Sequence, residues 1–80
     1  MKDTEAFTNA LAKTLYALRT EKGLSMEELA VKAGITRPAI SMYESGDRNP
    51  SVHVLYRISN ALGLKTSKLI AMVEAVETKN

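Results

Sequence analysis

Residues 25–46 read SMEELAVKAGITRPAISMYESG, and the two glycines divide this stretch into two short helices. Ser25 and Glu28 have the spacing of a capping box. In that motif the serine hydroxyl accepts from a free first-turn amide and the glutamate reaches back to the serine amide. The helix they open buries Leu29, Ala30 and Ala33 and ends at Gly34, where a positive φ is cheap only for glycine. Ile35 and Thr36 lead into the second helix, whose N-cap is Thr36 or Arg37. Pro38 sits in its first turn, where the missing amide costs nothing. Pro38 also biases its predecessor away from helical dihedrals, which slightly favours Arg37 as the cap. This helix turns Ile40 and Tyr43 inward, runs to Glu44 or Ser45 and stops at Gly46.

Ile35 plugs the corner between the two helices, and Ala30 must be small because they cross closely beside it. Two short helices meeting at such a turn over residues 26–45 describe a helix-turn-helix. The second helix of that motif can lie in the major groove of duplex DNA.

Helical periodicity continues on both sides. Phe7, Leu11, Leu15 and Leu18 recur on one helix face that ends at Gly23. Asp47 to Pro50 form a loop by their turn chemistry. Ser51 caps a fourth helix with Val54, Leu55, Ile58, Ala61 and Leu62 inward and Gly63 at its end. Thr66 or Ser67 opens a fifth, with Leu69, Met72, Val73 and Val76 at i, i+3, i+4 and i+7. The sequence therefore predicts an all-α, five-helix single domain over 7–77, with 1–6 and 78–80 frayed.

Composition agrees. Eighty residues allow one modest core, and with no Trp, one Phe and three Tyr that core is aliphatic. The absence of Cys excludes disulfides and a Cys-based zinc site. No apolar run is long enough to span a bilayer, and the start lacks a signal peptide's apolar region, so the expected location is cytoplasmic and no membrane partner is expected. The net charge of +2 permits nucleic-acid binding without demanding it. Between Asp47 and Glu74 there is no acid, while Arg48, Arg57, Lys65 and Lys68 fall there.

From Leu11 to about Leu69 the chain resembles the Cro/cI-type (xenobiotic-response-element, XRE) family of helix-turn-helix regulators. The resemblance rests on Leu18-Arg19, Gly23-Leu24-Ser25, Glu28-Leu29-Ala30, Ala33-Gly34-Ile35, Ile40-Ser41, Tyr43-Glu44-Ser45-Gly46, Pro50-Ser51, Leu55, Ile58 and Ala61-Leu62-Gly63, in order and at natural spacing. It implies a compact lambda-repressor-like domain that binds double-stranded DNA, usually as a homodimer on a pseudo-palindromic operator. It also implies an internal ion pair between Arg19 and Glu44, tying the recognition helix to the scaffold.

With Ile40, Tyr43 and Glu44 spent internally, Arg37, Pro38, Ala39, Ser41, Met42 and Ser45 are left to face the groove. Arg37 at the leading end can bond guanine O6 and N7 together, or reach a phosphate instead. Pro38 and Met42 can pack against thymine methyls, although a methionine at helical spacing more often turns into a core. Ser41 can touch a base or a phosphate.

Backbone contacts are expected at Ser25, Met26, Thr36, Ser45, Arg48 and Ser51, chiefly at the starts of the second and fourth helices, where free amides and the dipole favour anions. Many family members carry Gln where this chain has Met26, so one usual backbone contact loses its donor. Lys32 and Arg57 are weaker candidates, expected to be solvated, and the lone His53 receives no role. Met72, Val73 and Val76 are the expected dimer contacts, whereas Leu69 belongs to the core.

No paired nucleophile and base, Gly-rich phosphate loop or metal cluster is visible, so neither enzyme activity, a cofactor nor a metal is expected. The alternative within the fold is an antitoxin or an adaptor that binds a protein partner.

Overall fold

The computed structural model describes residues 2–79 of the chain, with side chains over 4–77. Five helices follow one another: α1 (Lys2–Glu21), α2 (Met26–Ala33), α3 (Arg37–Ser45), α4 (Val52–Ala61) and α5 (Thr66–Lys79). Every regular element among the described residues is a helix, so the architecture is the all-α one that the periodicity predicts.

Each helix is punctuated by the chemistry that its flanking residues supply. At the start of α2 both halves of the capping box form: the Glu28 amide donates to Ser25 Oγ at 3.0 Å, and the Ser25 amide to Glu28 Oε1 at 2.8 Å. Gly34 ends α2 with φ 71°, and its own amide and that of Ile35 close back on the last turn. Thr36, not Arg37, caps α3. Its Oγ1 accepts from the Ala39 amide at 3.2 Å, a bond that an arginine side chain has no acceptor to make. Pro38 accordingly occupies the second helical position rather than the first. Ser51 caps α4 in the same manner, accepting from Val54 at 3.2 Å.

The helix ends differ from the expected ones at both termini of the chain. The first helix starts at Lys2 rather than at Phe7. Nothing in residues 2–6 breaks a helix, Glu5 suits the positive end of its dipole, and Thr8 Oγ1 donates to the Thr4 carbonyl one turn back at 2.9 Å. Residues 78–79 likewise continue α5. Met1 and Asn80, the remaining parts of the segments expected to fray, lie outside the described residues.

The core is aliphatic. Leu29, Ile40, Ile58, Leu62, Leu69 and Val73 are fully buried, and Leu11, Leu15 and Leu18 from α1 join them. The long α1 packs against α5 and α3, α2 packs against α3 and α4, and α4 against α5. The helix-turn-helix pair is thus held between α1 on one side and α4 on the other. Ala30 is 2% exposed and belongs to the same buried cluster as Leu29, Ala33 and Ile40.

Polar groups inside this core are all satisfied. Thr14 Oγ1 donates to the Ala10 carbonyl at 2.8 Å. Ser59 Oγ donates to Tyr56 O at 2.9 Å, so the 2.8 Å contact with Thr66 Oγ1 takes its proton from Thr66 and ties α4 to the first turn of α5. Among the described residues no buried side-chain nitrogen or oxygen lacks a partner.

Candidate nucleic-acid interface

The exposed face of α3 is set by what the other face must do. Ile40 is buried, and Tyr43 and Glu44 turn partly inward, so one side of a nine-residue helix is committed to the scaffold. Pro38, Ser41, Met42 and Ser45 then fall at i, i+3, i+4 and i+7 on the outer side, with Arg37 at its leading edge, and all five are exposed. Met42 does not fold back into the core: it is 37% exposed. The face is small and flat apart from Met42 and the one long polar side chain, Arg37, and no acid stands in the first turn of α3.

Arg19 and Glu44, which the family resemblance pairs, meet in the interior. Arg19 Nε donates to Glu44 Oε2 at 2.6 Å and Nη2 to Oε1 at 3.0 Å, a bidentate pair whose side chains are only 10% and 4% exposed. The remaining terminal nitrogen, Nη1, donates to the Leu24 carbonyl at 2.8 Å. The guanidinium carbon also lies 5.5 Å from the centroid of the Tyr16 ring. The Glu44 hydrogen bond pushes the Arg19 pKa up against the opposing effect of burial. One guanidinium therefore links α1, the residue preceding the α2 cap and the far end of α3.

The residues expected at the DNA backbone divide by what their hydroxyls already do. Thr36 and Ser51 each accept a helix-start amide, which leaves the hydroxyl proton free to donate outward; Ser25 accepts one as well, but its hydroxyl also bonds the Glu28 carboxylate. Ser45 has no proton left: its Oγ donates to Met42 O at 3.1 Å while accepting from the Asp47 amide at 3.3 Å. Met26 is half-buried against the core, and Arg48 is exposed in the loop after α3. The α2 start also carries Glu27 and Glu28, whereas the first turn of α4 carries no acid. The hydrogen bond from the Ser25 amide, then that from its side chain, and more weakly Lys32, lower the Glu28 pKa.

Two expectations change. Val73 is 0% exposed within the monomer, because the α5 face that carries Leu69 continues through it into the core, so it has no surface to offer a second copy. Met72 and Val76 are half-buried on the neighbouring flank. There, with Ala17 and Leu18 of α1, they line an apolar groove of about 440 Å³ that has Lys13 and Glu21 among its walls. Arg57 is not simply solvated: its Nη1 donates to the Gly34 carbonyl, in the turn between α2 and α3, at 3.3 Å.

Sequence reasoning missed that contact, which joins residues 23 apart with no local signature. It also missed Tyr16 beside Arg19, for which the i, i+3 spacing was a usable signal. The exposed apolar pair of Val52 (79%) and Tyr56 (60%) on α4 went unnoticed too.

Among the described residues no group of His, Cys, Asp and Glu is placed to hold a metal, and no helix is long and apolar enough to cross a membrane.

A helix-turn-helix family model, HTH_3, matches residues 15–69. The chain belongs to this family. Its members are DNA-binding transcriptional regulators of the XRE type. The chain is 42% identical over 53 residues to the uncharacterized HTH-type transcriptional regulator y4dJ of Sinorhizobium fredii, a match covering 66% of this chain and 69% of that one. It is 39% identical over 59 residues to the uncharacterized HTH-type transcriptional regulator YqaE of Bacillus subtilis, covering 74% of this chain but only 51% of the relative, so it spans about half of that protein. Among solved structures, the restriction-modification controller protein C.AhdI from Aeromonas hydrophila superposes with a TM-score of 0.75 at 34% identity, over 78% of this chain and 94% of that one. The helix-turn-helix of the family is α2–α3 here, and the Arg19–Glu44 pair ties it to α1.

Proposed function

We propose that this chain reads duplex DNA sequence as a homodimer, with α3 in the major groove and Arg37 as its principal base-reading side chain. The observation that carries this reading is the outer face of α3. Its side chains are short except at Arg37 and Met42, it bears no acid, and it is locked to the scaffold through Glu44. Such a face can approach base edges closely, and an arginine at the leading end matches the paired acceptors of guanine. Pro38, Met42 and Ser41 would complete the readout by apolar contact and one hydroxyl. Ser25, Thr36, Ser51 and Arg48 would fix the register through phosphates. Membership of a family of DNA-binding regulators and similarity to a restriction-modification controller support the reading.

A two-fold pair would set two α3 helices about 34 Å apart, one DNA turn, and so require an inverted repeat. The apolar groove lined by Met72 and Val76 supports a contact between copies, and the opposite charges of Lys13 and Glu21 beside it are self-complementary under a two-fold axis.

Selection from a random duplex library tests the proposal. Enrichment of an inverted repeat with centres about ten base pairs apart is the expected result. Loss of preference at one base pair per half-site in Arg37→Ala would make Arg37 a reader, whereas uniform weakening would make it a phosphate anchor. If no sequence is enriched and only weak, steeply salt-dependent binding remains, the reading fails and a protein partner becomes the object of search.

A further inference from the structure

Arg57 stands on α4, outside the helix-turn-helix, yet its guanidinium reaches the turn inside that motif. Nη1 donates to the Gly34 carbonyl at 3.3 Å. Gly34 is the left-handed residue at which α2 ends, two positions before the Thr36 cap and three before Arg37. The turn is held from within by the Ile35 amide on Ala30 O at 3.0 Å and the Gly34 amide on Val31 O at 3.2 Å, both of which tie it back to α2. Those bonds fix the turn relative to α2 only. The Arg57 bond fixes it to α4, a helix anchored in the core by Leu55 and Ile58.

The surroundings suit a cation holding a carbonyl. Arg57 lies in a shallow groove of about 420 Å³ with Lys32, Gly34 and Asn60 among its walls, and no carboxylate lines it to draw the guanidinium away. The last turn of α2 also presents the negative end of its dipole there. The groove is formed by the C-terminal parts of α2 and α4, a helix length away from the N-terminal ends at Ser25 and Ser51 that would meet phosphates.

We infer that Arg57 is a positioning residue: by holding the Gly34 carbonyl it sets the direction in which α3 leaves the turn, and hence where Arg37 meets a base. This rests on the DNA-reading function proposed above. It differs from a phosphate contact, because a positioning arginine affects discrimination without adding to the count of neutralised phosphates.

The experiment compares wild type, Arg57→Ala and Arg57→Lys in two readouts. In the free protein, amide hydrogen exchange at Ile35 and Ala39 is expected to quicken in Arg57→Ala and to recover partly in Arg57→Lys, with Leu15 and Ile58 unchanged. On DNA, Arg57→Ala is expected to lose at least about fivefold of preference at the base pair read by Arg37, the lower end of what a bidentate contact discriminates. The slope of log affinity against log salt is expected to stay the same. A slope shallower by about one, with equal loss on all sequences, would show a phosphate contact and overturn the inference. Unchanged exchange at Ile35 and Ala39 would overturn it as well, as would quickened exchange with base preference intact. If the wild type itself selects no duplex, the DNA-reading function fails, while the exchange comparison still decides whether Arg57 holds the turn.

Discussion

The carboxylate of Glu44, at the end of α3, is gripped by the guanidinium of Arg19 from α1 through two hydrogen bonds of 2.6 and 3.0 Å, with both side chains almost wholly shielded from water. Because Arg19 also holds Leu24 O, one residue before the α2 cap, a shift of α1 would move both halves of the helix-turn-helix together. The helix-turn-helix is therefore held by one shared ionic centre as well as by the apolar core beneath it.

That centre should be costly to halve and cheap to replace. Arg19→Ala leaves a buried carboxylate unpaired and Glu44→Ala a buried guanidinium. Each is expected to lower stability by about 3–5 kcal/mol, since the desolvated partner keeps its penalty without its compensation. The double variant Arg19→Met/Glu44→Leu should recover most of the loss. Urea unfolding of the two alanine variants, their combination and the apolar pair measures this. Additive alanine losses would show that the two groups do not depend on each other.

Acid should loosen the start of α2. The bonds from Ser25 hold the Glu28 carboxyl below the ordinary glutamate value of about 4.3. The unfolded chain therefore takes up this proton more readily than the folded one. The stabilisation is present in full above the unfolded value and fades as pH falls through the folded one. Glutamine at this position keeps the acceptor and removes the charge. The melting-temperature gap between wild type and Glu28→Gln should stay level from pH 7 to about pH 5 and shrink below it. A gap that persists unchanged to the acid limit of folding would mean that the charge contributes nothing.

The sequence made the elements legible because each is bounded by local chemistry. Ser25 with Glu28, Gly34, Gly46 and Ser51 act within a few residues of themselves, and the structure uses each at the boundary it predicts. The choice between Thr36 and Arg37 went the wrong way because the Pro38 bias is weak, whereas a hydroxyl acceptor at the cap is a specific bond. What stayed hidden is tertiary. Periodicity puts Met72, Val73 and Val76 on one stripe, but only the packing of α1 on α5 shows that Val73 is at its centre and the other two at its flank. The Arg57–Gly34 bond depends on how α4 lies against α2, which no local pattern encodes.

That division predicts separable effects along α5. Val73→Ala removes two buried methyl groups and should cost about 2 kcal/mol of monomer stability. Met72→Glu and Val76→Glu place charge in the half-buried groove, and should shift a dimer toward monomer in sedimentation velocity. Tyr56→Glu, on the exposed apolar pair of α4, serves as the control. If Tyr56→Glu dissociates the dimer and the α5 variants do not, the copies meet through α4 instead.

The two helix starts that face the proposed DNA backbone are not equivalent. Ser51 keeps a hydroxyl proton to donate, whereas that of Ser25 is turned to the Glu28 carboxylate; the first turn of α2 carries Glu27 and Glu28 while that of α4 carries no acid. Glu28 is folded back onto the Ser25 amide, which leaves Glu27 as the exposed first-turn acid with no part in the cap. Glu27→Gln is expected to strengthen binding by about two- to fivefold on every duplex at low salt, the size of one charge at a helix terminus. The gain should diminish at high salt as the charge is screened. Ser51→Ala should weaken binding uniformly and cost about 1 kcal/mol of stability through the lost cap. Fluorescence anisotropy titrations at two salt concentrations separate these effects. Unaltered affinity in Glu27→Gln, beside a loss in Ser51→Ala, would place the phosphate at α4 alone and remove α2 from the interface.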